Sequence, residues 1–214
     1  MLSGSQVSRA DQNRALTLST IAFTACFAVW TIFSIIGVEI KKELSLNEFE
    51  FGLLVATPIL SGSLTRLFLG VWTEKYGGRL VFGGQMVLAG LATWALTWAC
   101  TYAMYLVAAL GGGLAGGSFI IGVAYVSRFY PPGRQGTALG IFGVGNVGAA
   151  VTKFLAPLVL LVSGWQTVAL VWAAALAVMA AVFWFTTADD PVIRERRIHG
   201  APAKSFWGEF APLK

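Results

Sequence analysis

Carboxylates are missing from the apolar body of this chain. Only ten of its 214 residues are Asp or Glu, and they fall in loops, at segment ends or in the C-terminal tail. Histidine occurs once, at position 199, in that tail, and cysteine only twice. These absences exclude several kinds of chemistry within the apolar segments. There is no histidine relay, no metal-ligand cluster, no Ser-His-Asp set and no other nucleophile–base pair. An enzyme is therefore the least supported reading, and neither a metal nor a cofactor is expected. Cys26 and Cys100 sit in or at the end of apolar segments without metal-ligand spacing, and both read as packing residues.

What the chain has in abundance is apolar length. Hydrophobic residues make up 57% of it and charged residues 12%, with a mean hydropathy of +0.73. That excludes an ordinary soluble domain. Six apolar segments lie near 16–38, 49–72, 80–98, 104–127, 136–162 and 165–187. Each is close to the ~20 residues needed to cross ~30 Å of hydrocarbon. Backbone groups in lipid must be hydrogen-bonded within their own segment, so the expected fold class is all-α, a polytopic six-helix membrane bundle spanning 1–188. The polar first 15 residues lack a small-residue cleavage site, so the first span is expected to be retained.

The charges set an orientation. Arg9, Arg14, Lys75, Arg79, Arg128, Arg134, Arg194, Arg196, Arg197, Lys204 and Lys214 fall on one side of a six-span topology. Lys41 and Lys42 fall on the other, beside Glu39, Glu43, Glu48 and Glu50. This bias places both termini in the cytoplasm. The basic residues are spread over loops and form no patch with aromatic platforms, which argues against a nucleic-acid partner.

Two cations remain inside spans. Arg66 lies in Pro58-Ile-Leu-Ser-Gly-Ser-Leu-Thr-Arg66-Leu-Phe-Leu-Gly70. A guanidinium at bilayer depth costs roughly 2.5–3.5 kcal/mol on insertion scales, and no nearby carboxylate offsets it. Buried cations without buried carboxylates invite an anion. Lys153 lies seven residues after Asn146, on roughly the same helix face, and is a candidate pathway cation; snorkelling toward the outer headgroups is the alternative.

Glycine is frequent, with 25 residues. The fourth span holds Gly111-Gly-Gly-Leu-Ala-Gly116-Gly117-Ser118, and the fifth holds Gly136, Gly140, Gly143, Gly145 and Gly148. So many glycines disfavour helix by ~1 kcal/mol each. Close helix packing explains them, with Gly113, Gly116, Gly117, Gly140, Gly143, Gly145 and Gly148 at the contacts and Gly136 and Gly140 forming a small-xxx-small step. Pro58 and Pro157 are expected to bend their helices. Residues 189–214 carry Asp189-Asp190-Pro191 and Arg194-Glu195-Arg196-Arg197 and read as a cytoplasmic linker or tail. The chain ends as though a further span should follow, so it is expected to be half of a larger transporter.

The stretch Gly70-Val-Trp-Thr-Glu74-Lys75-Tyr76-Gly77-Gly78-Arg79, between the second and third spans, resembles the cytoplasmic loop motif of the major facilitator superfamily. Glu74 stands where the motif has aspartate, and its distal arginines are reduced to Arg79. The resemblance implies a charge latch formed by Gly70, Glu74, Gly77, Gly78 and Arg79, remade as two halves rock.

A second resemblance is more specific. Gly112-Gly113-Leu-Ala-Gly116-Gly117-Ser118-Phe119, Phe129-Tyr130-Pro131 and Gly136-Thr-Ala-Leu-Gly140-Ile-Phe-Gly143-Val-Gly145-Asn146-Val-Gly148 are similar to the paired glycine-rich segments of the nitrate/nitrite porter family. Phe27-Ala-Val-Trp30-Thr-Ile-Phe33-Ser34 and Pro58-x-x-Ser61-Gly62-x-x-x-Arg66 extend the likeness over spans one to five. It implies that Arg66 binds the anion, that Asn146 contacts it, and that Phe27 and Phe119 flank it. A second arginine would come from a complementary C-terminal six-helix half. Ser118 stands where some relatives have asparagine, and no contact is assigned to it.

These residue types suit nitrate. Arginine offers a planar fork of donors to two oxygens at once, and an amide donates to a third. The expected activity is nitrate transport, with nitrite as a further substrate, across the bacterial inner membrane. Proton-linked import is the expected coupling, because Asp189-Asp190-Pro191 and the Lys-Ser-Phe-Trp tail resemble the proton-linked branch and the other half can hold the coupling group; nitrate/nitrite exchange is the alternative, since these spans lack a proton carrier. Rival readings are a facilitator for a sugar or drug, disfavoured by the missing carboxylates, and a non-transporting six-helix scaffold or partner subunit.

Overall fold

The computed structural model describes residues 7–199. Every regular element among them is helical: α1 (Arg9–Trp30), α2 (Phe33–Glu43), α3 (Glu48–Tyr76), α4 (Gly78–Ala95), α5 (Tyr102–Gly113), α6 (Ser118–Ser127), α7 (Pro132–Gly143), α8 (Gly148–Thr186) and α9 (Pro191–His199). Three short 3-10 turns, Leu96–Trp98, Leu114–Gly117 and Val144–Val147, interrupt or end the longer runs.

Local chemistry sets the boundaries. The Ser8 hydroxyl accepts the Asp11 amide and starts α1. Asn47 and Glu50 form a reciprocal capping box at the start of α3. Thr101 caps α5, and Pro132 opens α7 where a missing N–H costs nothing.

Five helical runs are long and apolar enough to cross a bilayer: 9–43, 48–76, 78–98, 102–127 and 132–186. The last holds 55 residues, about 80 Å as one straight helix and far beyond a bilayer's thickness. Gly164 divides it. Its φ of 77° and ψ of 170° lie in a region that essentially only glycine occupies. The chain then doubles back. Trp172 Nε1 donates to Thr152 Oγ1 at 2.9 Å, although a straight helix would separate residues 20 apart by about 30 Å. Six membrane passes result, with the fifth and sixth joined at the Ser163–Gly164 turn that the sequence marks.

α1 runs along the centre of the bundle, against α6, α7 and α8; α3 packs on α5, and α4 on α8. Phe23, Cys26, Ile36, Phe82, Met86, Tyr105, Tyr125, Phe142 and Phe183 are completely or almost completely buried. Cys26 thus packs as expected. Cys100 does not: it is exposed in the short connection before α5, outside the apolar packing.

The glycines divide into two groups. A Cβ on Gly148 would stand 2.1 Å from the Thr24 carbonyl oxygen, and one on Gly113 1.7 Å from Ser61 Oγ. Gly116, Gly117 and Gly145 are similarly closed by Trp30, Leu69 and Phe23. Gly136, Gly140 and Gly143 have nothing within 4 Å of such a Cβ. The contact expected of Gly140 and Gly143 is therefore not made within this chain, because that face of α7 is open. Nor do the prolines mark the breaks: α3 and α8 remain helical through Pro58 and Pro157. The interruptions fall at Thr31–Ile32, in the 3-10 turns and at Gly164.

Candidate functional site

Two helix interruptions lie beside Arg66: the end of α1 after Trp30 and the 3-10 turn Leu114–Gly117. A 3-10 turn leaves carbonyls that the α-helical ladder would otherwise use. One of them, the Gly116 oxygen, accepts a hydrogen bond from Arg66 Nε at 3.0 Å. The guanidinium carbon lies 5.4 Å from the centre of the Trp30 ring, within cation–π range. Trp30 is fixed in turn by donating Nε1 to the Pro58 carbonyl at 2.8 Å. Gly62 and Gly116 give that indole its space, since a Cβ on either would lie 2.8 Å or less from its ring atoms. Arg66 is half-buried. Its Nε and its flat face are committed, while Nη1 and Nη2 have no hydrogen-bond partner among the described residues.

An aromatic row leads from this arginine. Phe27 lies 5.1 Å from Trp30 and 5.4 Å from Phe23. Phe23 lies 5.6 Å from Phe119 and stacks on Phe142 at 4.9 Å. Phe27 is partly exposed and Phe119 is 40% exposed. Phe23 and Phe142 are fully buried beneath them. Asn146 sits in the 3-10 turn Val144–Val147, beside Gly145, whose missing side chain admits the Phe23 ring. Asn146 is exposed and donates Nδ2 to the Gly143 carbonyl at 2.8 Å. Its second N–H and its oxygen have no partner among the described residues. Ser118 is fully buried and donates back to Ala115, which accords with assigning it no contact.

The structure thus joins Arg66, Phe27 and Phe119 through one ring network, and seats Asn146 against the same α1 surface. The sequence reading missed the support of Arg66: the Gly116 carbonyl, Trp30 as a platform, and Phe23 with Phe142 as a floor. Gly62 four residues before Arg66, and Gly116 beside Gly117, were the available signals. Lys153 is exposed and has no partner among the described residues.

A second polar cluster occupies the end of the bundle where α3, α4 and α9 meet. The link between α3 and α4 is Gly77 alone, at φ 92°. A side chain there would press on Ile193 at 3.0 Å. Arg128 pairs with Glu74 and, at 2.8 Å, with Asp190. Asp190 is fully buried; it also accepts the Gly78 amide and caps α9 through the Ile193 amide. Arg79 donates to the Trp184 carbonyl and lies 3.6 Å from Asp189, while Arg196 donates to the Glu74 carbonyl. Arg128, Asp190 and Arg196 thereby join the expected Glu74 and Arg79. Residues 191–199 lie against the bundle as a helix, and the rest of the expected tail, 200–214, is outside the described residues.

This architecture is that of a helical-bundle membrane transporter. A solved bacterial homologue of the human lysosomal transporter Spinster, inward-facing and unoccupied, matches it at a TM-score of 0.75 and 19% identity, covering 86% of this chain and 44% of that one. The model of the Major Facilitator Superfamily matches residues 18–212. The chain belongs to that superfamily. It is 40% identical to a Thermus thermophilus protein named "Probable nitrate/nitrite antiporter NarK1", over 84% of this chain and 43% of the relative. It is 32% identical to the "Nitrite extrusion protein" of Bacillus subtilis, over 79% and 43%. The chain therefore spans less than half the length of the curated relatives it matches.

Proposed function

We propose that this chain is the N-terminal six-helix half of a nitrate/nitrite transporter of the bacterial inner membrane, with both termini cytoplasmic. The observation that carries the reading is Arg66. Its Nε and ring face are held by Gly116 and Trp30, its terminal nitrogens are left open, and no carboxylate in the described spans neutralises it. A planar oxyanion accepts two parallel hydrogen bonds from such a fork. Asn146 then donates to the anion, and the Phe27 and Phe119 rings exclude water around it. The names of the relatives, nitrate/nitrite antiporter and nitrite extrusion protein, agree with that substrate class.

A complementary six-helix half supplies the opposing wall and a second cation. The two halves rock about the site, which faces alternate sides. Nothing in this arrangement asks for a nucleophile or cofactor; the chemistry is binding and release. Transport is proton-linked nitrate import. Exchange of nitrate for nitrite is the second reading, favoured by the lack of a carboxylate or histidine away from the ends of the described spans.

The test is nitrate uptake into transport-deficient cells carrying this chain with a complementary half. Arg66→Lys keeps the charge but loses the fork and the Nε bond to Gly116, and uptake efficiency is expected to fall about tenfold or more, a loss of ~1.4 kcal/mol or greater. Uptake indifferent to the change, in equally abundant protein, overturns the substrate assignment. Collapse with a protonophore selects symport; uptake driven by internal nitrite alone selects exchange.

A further inference from the structure

Of the two cations deep in the spans, Arg66 has structural partners among the described residues and Lys153 does not. On the outer side Lys41 pairs with Glu48 at 2.6 Å and Lys42 with Glu39 at 2.8 Å. Glu43 accepts from Trp165 Nε1 at 2.9 Å, and Glu50 closes the α3 capping box. The four outer carboxylates are thus engaged. Arg66 has Gly116 and Trp30. The Lys153 side chain is exposed and has no partner among the described residues.

Its position is not that of a headgroup anchor. Eleven residues separate it from the Gly164 turn, a rise of roughly 16 Å, so the ammonium lies well inside the span. Its direction is equally telling. At about 100° per residue, Lys153 falls about 20° from Asn146 around the helix axis. The exposed apolar side chain of Leu155 points about 160° away from Lys153. Thr152, next to the lysine, is buried and donates to the Ala28 carbonyl of α1 at 2.7 Å, whereas Phe154 on its other side is 77% exposed, so Lys153 stands at the boundary between the α1 contact and the exposed face of α8. Lys153 therefore stands roughly 10 Å outward of Asn146 along the same wall, between the candidate anion site and the acidic outer rim.

We propose that Lys153 is a second anion-binding residue on this wall: a station that captures a small monovalent oxyanion entering from the outer side and passes it to Arg66 and Asn146. The inference deepens the transport reading and rests on it. A compact ammonium suits a transient stop, because it gives charge without the geometric lock of a guanidinium. It also lowers the electrostatic barrier that the outer carboxylates present to an anion.

The test is nitrate uptake from outside by the chain paired with its complementary half, in a Cys100→Ser background. Lys153→Gln is expected to raise the nitrate concentration for half-maximal uptake about five- to tenfold, with the maximal rate changed less than twofold. Lys153→Arg is expected to stay within about twofold of the unaltered protein. Lys153→Cys is expected to behave like Lys153→Gln until treated with aminoethyl methanethiosulfonate, which attaches an amine by disulfide and restores the low half-saturation value. An unchanged half-saturation value in Lys153→Gln, while Arg66→Lys still impairs uptake, overturns this inference and leaves the transport reading standing. So does a defect that neither arginine nor the attached amine restores, since that marks a packing role. No uptake by the unaltered pair overturns the transport reading and this inference together.

Discussion

At the scale of single residues, the chain uses glycine in two ways that composition does not separate. Gly148 admits the α1 backbone at Thr24 and Ala28, whereas Gly140 borders open space. Gly148→Ala is therefore expected to overpack the α1–α8 contact by about 1–3 kcal/mol and to lower the amount of folded, monodisperse protein recovered in detergent. Gly140→Ala is expected to leave that amount unchanged or raise it, through about 1 kcal/mol of helix propensity. Equal loss in both variants would show that the open face of α7 is packed before any partner arrives. Arg66 illustrates the same separation. Its type and position were legible from the Pro58–Gly70 stretch, but the orientation of its free edge was not. That orientation depends on the Gly116 carbonyl, 50 residues away in sequence.

At the scale of elements, the helix ends around Gly77 are tied by charge. Arg128 stands between Glu74 at the end of α3 and Asp190 at the start of α9, and all three lie close to Gly77 and Gly78. Asp190 is fully buried and the Arg128 side chain is 9% exposed. Removing one partner leaves the other without its compensation in a dry site, typically about 3–5 kcal/mol. Asp190→Ala is expected to lower the thermal midpoint of the detergent-solubilised chain and to speed proteolysis within residues 191–199, because the α9 cap is lost with the ion pair. A midpoint unchanged within about 1 °C would show that the pair contributes nothing net and that Arg128 is held by Glu74 alone. The sequence assigned Asp189 and Asp190 to a linker because two acidic residues before a proline usually sit in solvent. Burial came from a basic partner 62 residues earlier, which spacing does not reveal.

At the scale of the molecule, six passes give each connection a side. Cys26 is buried and Cys100 exposed, in the connection between the third and fourth passes. On the proposed orientation, with both termini cytoplasmic, that connection is external. A membrane-impermeant maleimide added to intact spheroplasts is therefore expected to label the chain, and Cys100→Ser to abolish the labelling. Labelling that appears only in inverted vesicles would reverse the orientation. The bundle also leaves Phe119, Asn146 and Lys153 exposed and the α7 glycines Gly136, Gly140 and Gly143 without a contact.

The sequence by itself determined the membrane class, the helical fold and the six passes. Apolar length, backbone satisfaction in lipid and charge bias are local or additive quantities that a linear chain displays directly. It also marked Arg66, because an unneutralised cation in an apolar run is conspicuous wherever the chain folds. Tertiary structure alone decided which donors of Arg66 stay free, which glycines make contacts and which tail carboxylate is buried. Each of those depends on a partner tens of residues distant, and on the direction in which a helix presents it.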